Sequence, residues 1–386
     1  MIVDTDSHNA CIEVFKNVDC DELVQRMIDN CLPMDLNPTW AQMYQSIRDS
    51  SWPECGNIDE FHKLPLQIRQ ELRDQHHLGL GHISKDLNNL YLDHQNNAFP
   101  TLKDQSNACK YFLKVDRQVV NTQPRASYQN YSTEKNLAVN IMHTFNSGMT
   151  RVCRDMPVFD FNLWLAVQDI DASIQELSRY VDKDFFGVYL DERMPWAWVD
   201  KVFFLLKYCA DNKLPIYFHL THIDQPPLDW HWDRSNPRWI AQKNRWPGYI
   251  FIGPDNVWQS NVASLITEGI FDRLPNLRVI ITEKGISWIP AMREFMLEQK
   301  WTDPLHYFRN NFWFTAEPEE PDFFKNASLV GWDRLLFATD YPHNDLGGKS
   351  RFSDVDLINS YLRDQKITQE QYDLYTHKNY LHLKSR

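Results

Sequence analysis

Four stretches of this chain carry side chains able to bind a metal ion or move a proton, and each belongs to an apolar run. Ile2-Val3 leads into Asp4-Thr5-Asp6-Ser7-His8, Ile216-Tyr217-Phe218 stops on His219, Val279-Ile280-Ile281-Thr282 stops on Glu283, and Leu335-Leu336-Phe337-Ala338-Thr339 stops on Asp340. A continuous apolar run marks a strand buried on both faces of a parallel sheet, and α/β barrels carry their chemistry at the C-terminal ends of such strands. Imidazoles and carboxylates without thiolates suit a divalent cation, Zn, Mn or Fe, as one or two ions. Gathering Asp6, Glu283 and Asp340 without a cation would cost on the order of several kcal/mol per uncompensated charge, so convergence itself argues for metal.

Spacing refines the set. Asp4, Asp6 and His8 recur every second residue, which on a regular strand puts all three on one face, predicted to point into the barrel. His343, three residues after Asp340, reads as a group supporting a ligand, a ligand of a second metal or a substrate contact, against a loop histidine facing water. Arg125 and Arg193, just past the second and fourth strands, have the chemistry to grip a substrate carboxylate through two hydrogen bonds, or to pair with a neighbouring acid at the surface. His222 and Trp230 are further candidate substrate contacts in a loop over about 220–260 dense in Trp and Pro, expected to cover the mouth of the site or simply to pack onto the barrel.

Alternation of strands and helices has to position these residues. Beyond the first strand, strands are expected at 117–121, 162–167, 185–190, 216–219, 279–283, 312–315 and 335–340, with helices at 133–147, 200–211 and 261–274 between them. About eight strands in this pattern predict a distorted (β/α)8 barrel of the TIM type rather than a doubly wound sheet. A helical insertion follows the first strand over about 14–113, and helices over about 355–383, one capped by Thr368, should complete the barrel rather than do chemistry. The whole of 1–386 is expected to form one domain, since a barrel needs roughly 250 residues and the rest reads as insertions.

Composition narrows the function classes. With 43% hydrophobic and 24% charged residues the chain is ordinary for a globular protein, and a net charge of −12 argues against general nucleic-acid binding. Seven scattered cysteines without a Cys-x-x-Cys pair read as free thiols, and the absence of a signal-like or membrane-length apolar segment leads to the expectation of a cytoplasmic protein without membrane contact. The expected partner is a small-molecule substrate, with a homo- or hetero-oligomer open.

Asp4-Thr5-Asp6-Ser7-His8, Tyr217-Phe218-His219, the run from Gly269 through Leu274-Pro275-Asn276-Leu277 to Glu283-Lys284-Gly285 and on to Pro290, and Phe337-Ala338-Thr339-Asp340-Tyr341-Pro342-His343 together resemble the amidohydrolase superfamily. More narrowly they resemble its amidohydrolase-related branch, which includes the aminocarboxymuconate-semialdehyde and resorcylate decarboxylases. The resemblance covers the first strand and most of the chain from about residue 115. It implies a barrel holding one or two divalent metals, with Asp6 and His8 at the family's first-strand His-x-His, His219 at the fifth-strand histidine and Asp340 at the eighth-strand aspartate. This chain departs from that pattern at Asp6 and at Glu283, where the family has histidines, and it has no lysine in 185–190 to bridge two metals. The expected activity is metal-dependent hydrolysis or decarboxylation of a small carboxylated or cyclic molecule, with Asp340, Glu283 and His343 as catalytic groups. Two alternatives stand beside it: a dinuclear Fe or Mn oxygenase on the same barrel, and a non-catalytic barrel subunit.

Overall fold

The structure, a computed structural model, describes residues 1–9, 102, 105–106, 109–122, 135–166, 169–191, 200–219, 257–341 and 354–385. Most of the expected insertion and of the Trp-rich loop lies outside these residues.

Strand β1 (Val3–Asn9) pairs in parallel with β2 (Arg117–Thr122), and β2 with β3 (Phe159–Phe161). A single residue, Asn162, separates β3 from β4 (Leu163–Trp164), which changes partners and pairs with β5 (Val188–Asp191). From there β6 (Ile216–His219), β7 (Val279–Ile281), β8 (Phe312–Ala316) and β9 (Leu335–Phe337) follow side by side, each parallel to the last. β9 lies against β1: Thr5 Oγ1 donates to the Phe337 carbonyl at 2.8 Å, the Asp340 amide to the Asp6 carbonyl at 2.9 Å, and Ser7 and Tyr341 form a parallel bridge. With β3 and β4 taken as one interrupted strand, this is the eight-stranded, distorted α/β barrel that the alternation predicts.

Its crossovers are α1 (Lys135–Asp155), α2 (Ile170–Tyr180), α3 (Asp200–Asp211), α4 (Val257–Thr267), α5 (Ile270–Arg273), α6 (Ile289–Glu298), α7 (Leu305–Asn310) and α8 (Phe323–Val330). The strand expected over 185–190 is β5, at Val188–Asp191, those expected over 279–283 and 335–340 end at Ile281 and Phe337, and three further boundaries need correction. The helix expected to end at 147 runs to Asp155, with Phe145 and Met149 buried along its inner side. The single helix expected over 261–274 is two, because Gly269 adopts φ +67°, a left-handed conformation that an α-helix cannot contain. The strand expected over 162–167 starts earlier, at Phe159, and is interrupted where the expected strand begins.

Two apolar clusters divide the molecule. A large one packs strands against helices, and a smaller one takes Val3, Val119, Tyr217, Ile280, Trp313 and Leu336 from six different strands, which places it in the barrel interior. The C-terminal segment completes this inner cluster. It comprises α9 (Asp354–Arg363), α10 (Gln369–Asp373), a π-helical turn at Leu374–Lys378 and α11 (Asn379–Lys384). Thr368 caps α10 as expected: its hydroxyl accepts from the Gln371 amide at 3.2 Å while the Gln371 side chain accepts from the Thr368 amide at 2.8 Å. Tyr380 and Leu383 of α11 enter the inner cluster, and the Tyr380 ring stacks on Phe186 at 4.9 Å. The Tyr380 hydroxyl also donates to Asp160, which pairs with Lys384 at 2.5 Å and Arg117 at 3.6 Å. Arg117 and Asp160 stand at the starts of β2 and β3, so α11 stoppers the N-terminal end of the barrel, away from the strand ends that carry His219, Glu283 and Asp340.

Candidate metal centre

One extra residue in β1 decides which side chains reach the interior. Asp4 sits opposite Gln118 and Ser7 opposite Val120, so three steps on β1 match two on β2 and a bulge falls between. The bulge overturns the expectation that Asp4, Asp6 and His8 share a face. Asp4 turns to the side of Gln118, away from the inner position of Val119, while Asp6 bonds to Asn121, which shares Val119's side of β2. His8 lies opposite Asn121 in the backbone register.

Asp4 therefore acts as a strap. One carboxylate oxygen accepts from the Thr339 amide at 3.0 Å and the Asp6 amide at 3.3 Å, the other from Thr339 Oγ1 at 2.6 Å and Gln118 Nε2 at 2.7 Å. Complete burial pushes its pKa up to about 6, and the four donors only partly offset that. Thr339 precedes Asp340 and Asp6 lies two residues on, so the strap ties the β1 and β9 ends together behind the site.

Glu283 and Asp340 are both half-buried and both take left-handed backbone, φ +56° and +51°. The same conformation occurs at Lys213, Lys300 and Gln365, and here it turns the chain where barrel strands end. Neighbouring strands hold each turn: Thr315 Oγ1 accepts from the Glu283 amide at 3.2 Å, and the Asp340 amide reaches Asp6. His219 ends β6 opposite Asp191 of β5. Phe218 pairs with Ile281, which brings the ends of β6 and β7 side by side.

Asp6, His8, His219, Glu283 and Asp340 thus stand on inward or terminal positions of β1, β6, β7 and β9. For His8 and His219 the backbone alone is described. Among the described residues no three His, Cys, Asp or Glu side chains gather into a metal site, so the carboxylates by themselves do not make one and the two imidazoles would have to complete it. The donor types, hard oxygen with imidazole, fit a divalent cation. Arg125, Arg193, His222, Trp230 and His343 lie outside the described residues.

Sequence reasoning missed Asn121 and Asn162, buried amides that hydrogen-bond behind Asp6. Each interrupts an apolar strand, in Val119-Val120-Asn121 and Phe161-Asn162-Leu163, and a buried Asn within a strand is the signal that could have found them.

A family model described as Amidohydrolase matches residues 127–379. A gamma-resorcylate decarboxylase from Rhizobium radiobacter is 23% identical over 227 residues, spanning 50% of this chain and 63% of that protein. Among solved structures, a 5-carboxyvanillate decarboxylase from Novosphingobium aromaticivorans with manganese and a nitrobenzoic acid superposes with TM-score 0.62 at 13% identity, covering 100% of this chain and 96% of the other. A dihydroxybenzoic acid decarboxylase from Polaromonas sp. with manganese and 2-nitroresorcinol gives TM-score 0.56 at 14% identity over 85% of this chain and 92% of its own. Among the described residues no helix is long and apolar enough to cross a membrane.

Proposed function

Because this chain belongs to the amidohydrolase family, we propose that it is a metal-dependent decarboxylase of a small aromatic carboxylic acid, working at the C-terminal end of its barrel. The observation that supports this reading is the Asp340–Asp6 backbone bond, which joins the end of β9 to β1 beyond its bulge, with His219 ending β6 and Glu283 following the neighbouring β7. The relatives named above, two of them with manganese, support the substrate class and the metal.

Asp6, His8, His219 and Glu283 would hold the cation. When bound, it would neutralise the substrate carboxylate and an adjacent oxygen and orient them. Asp340 carries the proton: its carboxyl gives H+ to the ring carbon bearing the carboxylate, the bond to that carboxylate breaks, and carbon dioxide leaves with a C–H in its place. The left-handed turn and the backbone bond to Asp6, which hold residue 340 at the end of β9, support that role. If the substrate is instead hydrolysed, Asp340 starts as the carboxylate and takes the proton from the attacking water. The carboxylates at Asp6 and Glu283 favour a second reading, oxygen activation by two Fe or Mn ions, which oxygen uptake would reveal.

The test loads the purified protein with Mn2+ and offers it a panel of hydroxybenzoic acids. One CO2 released per ring consumed, dependent on metal and reduced by roughly 10³-fold or more in Asp340→Asn, supports the reading. Turnover that survives Asp340→Asn, or bound metal unaffected by both Asp6→Ala and His219→Ala, overturns it.

A further inference from the structure

Behind Asp6 runs a chain of two buried amides. Asn121 Nδ2 donates to Asp6 Oδ1 at 2.7 Å, and Asn162 Nδ2 donates to Asn121 Oδ1 at 2.6 Å. We propose that Asn121 and Asn162 are positioning residues that fix the Asp6 carboxylate for metal binding, an inference that rests on the metal-centre reading above.

Chemistry sets the direction of the chain. An ionised carboxylate only accepts, so Asn121 must turn its NH2 toward Asp6 and its carbonyl toward Asn162. Asn162 must then present its own NH2, and its Oδ1 points onward with no hydrogen-bond partner among the described residues. The relay crosses three neighbouring strands: β1, β2 and the β3–β4 junction. It fits because residue 187 is glycine: a Cβ there would stand 2.9 Å from Asn162 Oδ1 and 2.7 Å from the Pro215 carbonyl.

Apart from Asp6, nothing in the fold asks for these amides. Asn121 and Asn162 are 1% and 2% exposed beside Val120, Phe161 and Leu163, and apolar residues there would remove the unpaired Asn162 Oδ1 but take the Asn121 donor from the buried Asp6. What the amides supply is a fixed orientation: with Oδ1 pinned to β2, rotation of the short Asp6 side chain is restricted before a cation arrives. Groups that orient a metal ligand in this way typically change affinity by about 10–100-fold when removed.

The experiment measures the Mn2+ dissociation constant of the full chain by equilibrium dialysis and by the electron-paramagnetic-resonance signal of free Mn2+. It compares wild type, Asp6→Ala, Asn121→Ala, Asn162→Ala, the double variant Asn121→Ala/Asn162→Ala, and a control, Asn146→Ala. Asn146 is equally buried but lies on α1 and bonds the Trp164 backbone of β4 and Glu176 of α2, where the helices pack on the strands. The relay predicts about 10–100-fold weaker binding in Asn121→Ala, a smaller loss in Asn162→Ala, and no added loss in the double variant, because the second amide acts only through the first. Asn146→Ala should lower the melting temperature and leave the constant within about twofold.

If Asn121→Ala folds and binds Mn2+ like wild type while Asp6→Ala does not, the relay is wrong and the metal centre stands. Losses that simply add in the double variant also overturn it. Wild type that binds no Mn2+, or binds it as Asp6→Ala does, removes the metal centre and the relay with it. Should Asn121→Ala not fold, Asn121→Ser and Asn162→Ala carry the comparison.

Discussion

The carboxylate of Glu320 is turned back over the loop that follows β7, where it accepts from the Ile286 amide at 2.8 Å and the Glu317 amide at 2.9 Å. A side chain at Gly285, whose φ is +56°, would run into that carboxylate. Burial outweighs the donors and pushes the Glu320 pKa from 4.5 up to about 6. The folded protein therefore holds this proton more tightly than the unfolded chain. The resulting stability is fully present below about pH 4.5 and is lost as the pH rises through about 6, a change of about 2 kcal/mol. Glu320→Gln should flatten the fall in melting temperature across that window in metal-free protein. A fall as steep as wild type's would assign the profile to another group, with Asp4 the first candidate. The candidate ligands were legible in the sequence because each ends or closely follows an apolar run, a local pattern. The side to which Asp4 points was not, because the bulge depends on how β2 and β9 meet β1 from more than a hundred residues away.

Element boundaries repeat that contrast between local and distant causes. Thr368 was readable as a cap because its partner, Gln371, is three residues on, and the structure shows both bonds of the box. Thr368→Ala should therefore lower stability by about 1 kcal/mol, seen as a lower denaturation midpoint with an unchanged slope. Recovery by Thr368→Ser but not by Thr368→Val would attribute the effect to the hydroxyl. The α4–α5 break was also locally encoded, in Gly269, yet a lone glycine within a helical pattern is tolerated often enough that it does not by itself mark a break. At Asn162 the interruption comes from a change of neighbours, β2 on one side and β5 on the other, together with an amide turned toward Asn121. No window of a few residues contains that information.

For the molecule as a whole, the barrel was readable because its strands are apolar throughout and separated by segments with helical periodicity, whereas the side chains that complete its interior come from the opposite end of the chain. Tyr380 and Leu383 fill the base of the barrel. Tyr380→Ala should cost about 3–5 kcal/mol in denaturant unfolding, and Tyr380→Phe about 1–2, since it keeps the stacking on Phe186 and loses the hydroxyl's bond to Asp160 and the one it accepts from Arg117. Both variants should retain wild-type Mn2+ per folded chain, because the plug and the candidate metal centre lie at opposite ends of the strands. The contact of β1 with β9 has a consequence in time as well as in space. Thr5 and Phe337 are 332 residues apart, and synthesis at about 5–20 residues per second separates their appearance by roughly 17–66 s. During that interval β1 can pair with β2 at most, so a nascent chain carries one open strand edge, and beside it the Asp4 carboxylate without its Thr339 donors, until the ribosome has delivered β9.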